Sequence, residues 1–191
     1  MTTIKSISFI NPIIDRNKPR NVVDHLKWMS TAEINDKLVS QSKNFGLLLV
    51  NIDYDINTGT IIRAGNTFGA REVILYGRKK FDRRASVGAE FYTKFRQIEW
   101  EEQLQQVLEG YDVIIALENN LPNTVQLPEF KWDPNLKYLI CVGQEGDGLP
   151  QNILDRCNYT LEIPSFGSVR SLNVGVAASI VMYDYISKIS Q

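Results

Sequence analysis

The sequence predicts an α/β fold, a mainly parallel sheet flanked by helices. Apolar runs of strand length alternate with patterns of helical period along most of the chain. The runs are rich in Val, Ile and Leu and nearly unbroken by polar residues, as in strands covered on both faces. Glycine closes the helical patterns where a helix normally stops.

Taken in order, residues 1–44 read as an N-terminal helical extension and 45–191 as the main domain. In the extension, Ser30 and Glu33 have the spacing of a capping box, which places a helix start at Ser30. The segments FGLLLVNI (45–52), EVILY (72–76), DVIIALE (112–118) and KYLICVG (137–143) read as buried strands, and YTLEI (159–163) as a short one. Residues 58–69 and 100–110 read as helices that end in Gly69 and Gly110. The segment 122–135 carries three prolines and reads as a surface loop. Residues 171–183 hold no charged side chain and form a helix that is apolar almost all round. Surface helices normally keep a polar stripe, so this helix is expected to be packed on every side, in part by a second copy of the chain. It is too short for a membrane span, which needs roughly 18 apolar residues.

Composition narrows the function classes. With 191 residues and a net charge of −1, the chain suits one domain and is no polycation, although a local basic patch is compatible with that balance. The first 20 residues lack the apolar run and cleavage site of a secretory signal, so a cytoplasmic protein is expected. Cys141 and Cys157 form no CxxC pair, and Cys141 in an apolar run reads as a buried thiol. The single histidine, His25, excludes a multi-His metal cluster and a Ser-His-Asp triad; no metal site is expected.

In an open parallel sheet, ligands sit beyond the C-terminal ends of the strands. Three polar segments fall at that edge: NIDYDINTGTIIR after the first strand, GQEGDGLP after KYLICV, and IPSFGSVRSLN after YTLEI; Asn119 and Asn120 join them. Gly143, Gly146 and Gly148 permit close backbone approach to a ligand. Glu145 among three glycines is poor turn chemistry unless it has a partner. Arg63 lies on a helix whose Ile61, Ile62, Gly65 and Phe68 face the core, and its side chain leans toward the loop of Asn57. Ser171 reads as a helix N-cap, and the backbone N–H groups of that helix start suit an anion.

Together these segments resemble the SpoU/TrmH branch of the SPOUT methyltransferases. Asn57, Gly59, Arg63, Phe68 and Gly69 match the first motif of that family. Gly143, Glu145, Gly146, Gly148 and Leu149 match the second. Ile163, Pro164, Ser171, Leu172, Asn173, Val174 and Ala177 match the third. Two departures stand out: Ser165 replaces the usual Met, and Asp55 lies two residues before Asn57 with Tyr54 in the usual acidic place. The resemblance implies a C-terminal deep trefoil knot, a homodimer with sites at the interface, and methyl transfer from S-adenosylmethionine to a ribose 2′-hydroxyl of RNA. It implies that Arg63 is central to catalysis, with Asn57, Glu145, Ser171 and Asn173 positioning it and the ribose. Cofactor contacts are implied at Leu117, Gly143, Gln144, Gly146, Ile163, Ser171 and Leu172.

The stretch 78–96 is basic and interleaved with Phe81, Phe91, Tyr92 and Phe95. Phosphate contact plus stacking suits RNA, so Arg78, Lys79, Lys80, Arg83 and Arg84 are the RNA-binding candidates, extended by Arg16, Lys18 and Arg20. The lack of a long N-terminal RNA-binding domain tilts the expectation toward tRNA over ribosomal RNA. The alternatives are a ribosomal RNA 2′-O-methyltransferase, a catalytically silent RNA-binding relative, and a dinucleotide-dependent oxidoreductase. The last lacks an early glycine fingerprint with its acidic partner.

Overall fold

The run Phe45–Val50 (β1) is buried along its whole length, and so is Tyr138–Val142 (β6), which lies beside it. A computed structural model describes residues 21–52, 55–77 and 81–190. Around the central pair stand Val73–Tyr76 (β2), Phe95–Ile98 (β3), Val113–Leu117 (β4), Val125–Gln126 (β5) and Tyr159–Glu162 (β7). The sheet has seven strands in the order β3-β2-β1-β6-β4-β7-β5, every pairing parallel.

Period-two alternation splits the core. Leu47 and Leu49 of β1 face one side with Ile61, Ile62, Val181, Met182 and Tyr185, whereas Leu48 and Val50 face the other with Leu104, Val107 and Ile153. The helices are Thr31–Ser40 (α1), Asp55–Phe68 (α2), Glu101–Leu108 (α3), Gln151–Leu154 (α4) and Val174–Ile189 (α5). Ser30 caps α1 with the expected capping box: its hydroxyl accepts the Glu33 N–H, and Glu33 accepts the Ser30 N–H. Cys141 is fully buried in β6.

Three expectations are corrected. Residues 95–98 belong to an edge strand, because Phe95 packs on Phe81 at 5.1 Å and Arg96 pairs with the buried Glu72 at 2.8 Å. Phe81 and Phe95 therefore line the core instead of standing ready to stack on bases. The proline segment contributes a two-residue strand, β5, that extends the sheet beyond β7. Helix α5 opens at Val174, with Asn173 as the N-cap in place of Ser171; Asn173 Oδ1 accepts the N–H groups of Gly175 and Val176 at 2.9 and 3.2 Å. Within one chain α5 is covered on one side. Val174, Ala178, Val181, Met182 and Tyr185 face the core, but Val176, Ile180 and Tyr183 are exposed. Arg16, Lys18, Arg20, Arg78, Lys79, Lys80 and Tyr54 lie outside the described residues. Among the described residues no helix is long and apolar enough to cross a membrane.

Candidate active site

The loops that leave β4, β6 and β7 meet at the C-terminal edge of the sheet and enclose a cleft of about 340 Å³. That is within the range of small-molecule sites. Leu117, Val142, Ile163, Leu172, Val174 and Ala177 form its apolar wall. Glu118, Gln144, Glu145, Arg170 and Ser171 supply polar groups, and Gly143, Gly146 and Gly148 form the turn between β6 and α4. All seven residues expected at a cofactor therefore border one cleft.

The turn is closed by its own geometry. Gly148 donates its N–H to the Gln144 carbonyl at 3.1 Å. A Cβ on Gly143 would lie 2.2 Å from the Gly148 carbonyl carbon, and Gly148 itself has φ +70°. Backbone folded back on backbone at this distance admits only glycine. A Cβ on Gly146, by contrast, would meet nothing within 4 Å, so that peptide stands open at the rim.

Three motif residues join behind the cleft. Asn57, in the first turns of α2 and 4% exposed, donates its amide to Glu145 Oε1. Asn173 donates its own amide to Asn57 Oδ1 at 3.0 Å while capping α5. Glu145 thus has the partner its setting demanded. Its second oxygen, Oε2, is buried and has no hydrogen-bond partner among the described residues. Buried polar atoms are nearly always satisfied, so an orphan at a cleft marks a place for a ligand's donor.

Arg63 stands apart. It is exposed and does not line the cleft; it shares the exposed stripe of α2 with Ile56, Thr60 and Thr67. Thr60 borders a shallow apolar patch formed with Gly175, Val176, Ser179, Ile180 and Tyr183 of α5. Ser171 is exposed and lines the cleft. The next basic element, a 3-10 turn at Arg83–Ser86, packs on α2 at Gly59, where a Cβ would lie 2.6 Å from Ala85 Cβ and 2.8 Å from the Ser86 nitrogen. Arg83 is exposed, whereas Arg84 is held by Asp82 at 2.5 Å.

The sequence places Asn119 at this edge but does not single out Glu118 or Arg170, which also line the cleft. Asn119 Nδ2 donates to the Arg170 carbonyl at 2.7 Å and holds the 165–173 loop against the end of β4. The available signal was a carboxylate that ends an apolar strand immediately before two asparagines.

The profile described as the SpoU rRNA Methylase family matches residues 44–183. A Staphylococcus aureus (strain COL) protein assigned to the TrmH family of tRNA/rRNA methyltransferases is 28% identical over 168 residues, covering 82% of this chain and 66% of that protein. The SpoU methyltransferase AviRb from Streptomyces viridochromogenes superposes with a TM-score of 0.67 at 26% identity, covering 76% of this chain and 60% of that one. A second AviRb structure, in complex with the cofactor AdoMet, gives 0.68 at 24% identity, covering 78% of this chain and 59% of that one. The chain spans 59% to 66% of the length of these proteins. The profile match takes in the loops after β4, β6 and β7 that enclose the cleft and the Asn57 segment behind it, and the chain belongs to the SpoU rRNA Methylase family.

Proposed function

We propose that the chain binds S-adenosylmethionine in this cleft and methylates a ribose 2′-hydroxyl of RNA as a homodimer in the cytoplasm. The cleft fits the cofactor: an apolar wall suits the adenine, open backbone at Gly146 suits its polar edges, and the volume suits a ligand of that size. When bound, S-adenosylmethionine supplies an electrophilic methyl group on a sulfonium. The trefoil knot belongs to this reading, supported by a strand order that inserts β6 between β1 and β4. Residues 1–44 are assigned to an extension outside the methyltransferase domain.

The observation that carries the reading is the orphan Glu145 Oε2. A hydroxyl entering the cleft would satisfy it, while Asn57 holds the carboxylate by its other oxygen. Glu145 orients the 2′-hydroxyl, Asn57 and Asn173 hold Glu145, and Ser171 borders the place where the ribose enters. A guanidinium stays protonated in proteins, so Arg63 acts as a cation. It stabilises the developing alkoxide and clamps the neighbouring phosphate, while the proton leaves through that phosphate or a water. A second copy docked on the apolar α2–α5 face brings Arg63 to the dimer seam, which reconciles its distance from the cleft of its own chain with a catalytic role. Arg83 offers a phosphate contact on the same side of α2.

The test is mass-spectrometric mapping of methylated nucleosides after incubation with S-adenosylmethionine, with tRNA in one arm and ribosomal RNA in the other. Ribose-methylated nucleosides in the tRNA arm, lost in Glu145→Gln, are expected. Methyl groups on bases would overturn the assignment, and cofactor binding with no methyl transfer to either RNA would favour the catalytically silent reading.

A further inference from the structure

Glu118 follows the last residue of β4, and its backbone N–H is tied to the Leu161 carbonyl of β7 at 3.1 Å. Its side chain lines the cleft. Oε1 accepts the Leu149 N–H at 2.6 Å, at the far end of the glycine turn. The carboxylate lies against Gly148: a Cβ there would be 2.5 Å from Oε1 and 3.1 Å from Oε2. One side chain therefore fixes the spacing between the β4 end and the turn, which are opposite walls of the same cleft.

The group is also electrostatically uncompensated. Burial pushes the Glu118 carboxyl above the ordinary glutamate range, countered only by backbone N–H groups at Leu149 and Asn119. No cationic side chain among the described residues contributes. An ionised carboxylate held this way gains most from a cation that enters the cleft.

We infer that Glu118 is a positioning and specificity residue of the cofactor cleft: Oε1 pins the glycine turn, and the negative charge favours a cationic methyl donor over its neutral demethylated product. The inference rests on the cofactor named above. S-adenosylmethionine carries a sulfonium; once the methyl group leaves, the sulfur is an uncharged thioether and the ligand has lost one positive charge. A carboxylate in the wall binds the first more tightly than the second, so the spent cofactor leaves more readily.

Calorimetric titration of the full chain with S-adenosylmethionine and, separately, S-adenosylhomocysteine tests this in Glu118→Gln and Glu118→Ala. Glutamine keeps a carbonyl acceptor for the Leu149 N–H but removes the charge. It is expected to weaken S-adenosylmethionine roughly tenfold while changing S-adenosylhomocysteine less than about threefold. Alanine also releases the turn and should weaken both ligands, with lost hydrogen-exchange protection at the Leu149 amide that glutamine retains. Equal weakening of both ligands by glutamine would reduce Glu118 to a structural clamp and overturn the charge preference. So would two unchanged affinities. A wild-type protein that binds neither ligand sinks the cofactor assignment itself, a result distinct from any pattern among the variants.

Discussion

Gly59→Ala sets two effects of opposite sign against each other at one position. In a helix interior the change is favourable by about 1 kcal/mol from propensity alone. Here, however, the new methyl group would lie 2.6 Å from Ala85 Cβ, 2.8 Å from the Ser86 nitrogen and 3.0 Å from the Ala85 carbonyl carbon. Two of those three atoms are backbone, and Ser86 is fully buried, so no flexible side-chain tip can swing aside. Overpacking of this kind costs about 1–3 kcal/mol. The net expectation is a loss of up to about 2 kcal/mol, which for a chain of this size lowers the melting temperature by up to about 8 °C. Denaturant unfolding of Gly59→Ala, Ala85→Gly and the double variant measures the coupling. Removing the Ala85 methyl should recover part of the loss, because it relieves the shortest contact. RNA affinity of Gly59→Ala should fall as the Arg83–Ser86 turn is displaced. A variant more stable than wild type, as propensity alone requires, would refute the claim that this turn packs on α2.

The dimer face predicts that Ile180→Glu yields a folded protein that sediments as a monomer, because Ile180 is 36% exposed in the single chain. Val181→Glu, at a fully buried position, should fail to fold, since an unpaired buried charge costs several kcal/mol. Replacing Arg83 with alanine should flatten the salt dependence of RNA binding by about one counterion; Arg84→Ala should change it less, because Asp82 already holds that guanidinium. At saturating RNA and cofactor, Arg63→Ala should lose about 100- to 1000-fold in turnover and Arg63→Lys should keep slight activity, with cofactor affinity unchanged in both. Burial raises the Glu72 carboxyl, but Arg96, Lys94 and the Tyr111 hydroxyl outweigh it and hold the group below the ordinary range. Its stabilising contribution is therefore complete above about pH 4.3, the unfolded value, and is lost as pH falls through the lower native one. Unfolding curves of wild type and Glu72→Gln should converge in acid.

The interior of the sheet was legible because β1, β4 and β6 are covered on both faces and can hold almost nothing but apolar residues. Its edges were not. At β3, Arg96 and Gln97 are polar because one long edge is uncovered, and the same residues read equally well as a basic surface. The start of α5 was misplaced because Ser171 and Asn173 are both good caps; only the backbone decides which one meets the free N–H groups. Glu145's need for a partner could be read from its glycine setting, but the partner, Asn57, is 88 positions away and depends on how β1 and β6 are paired. Glu118 carried no motif, and its role comes from the wall it happens to face.

The hydrogen bonds behind the cleft run in one direction only. The N–H groups of Gly175 and Val176 can only donate, so the Asn173 oxygen must face them and its amine must face outward. That amine requires the oxygen of Asn57, which turns the Asn57 amine toward Glu145 Oε1. The start of α5 therefore sets the polarity of every amide up to the carboxylate, and no amide can be reversed alone without opposing two like groups. Oε1 is thereby committed as an acceptor to Asn57, and a ligand's hydrogen-bond donor that reaches Glu145 finds one oxygen open among the described residues, Oε2.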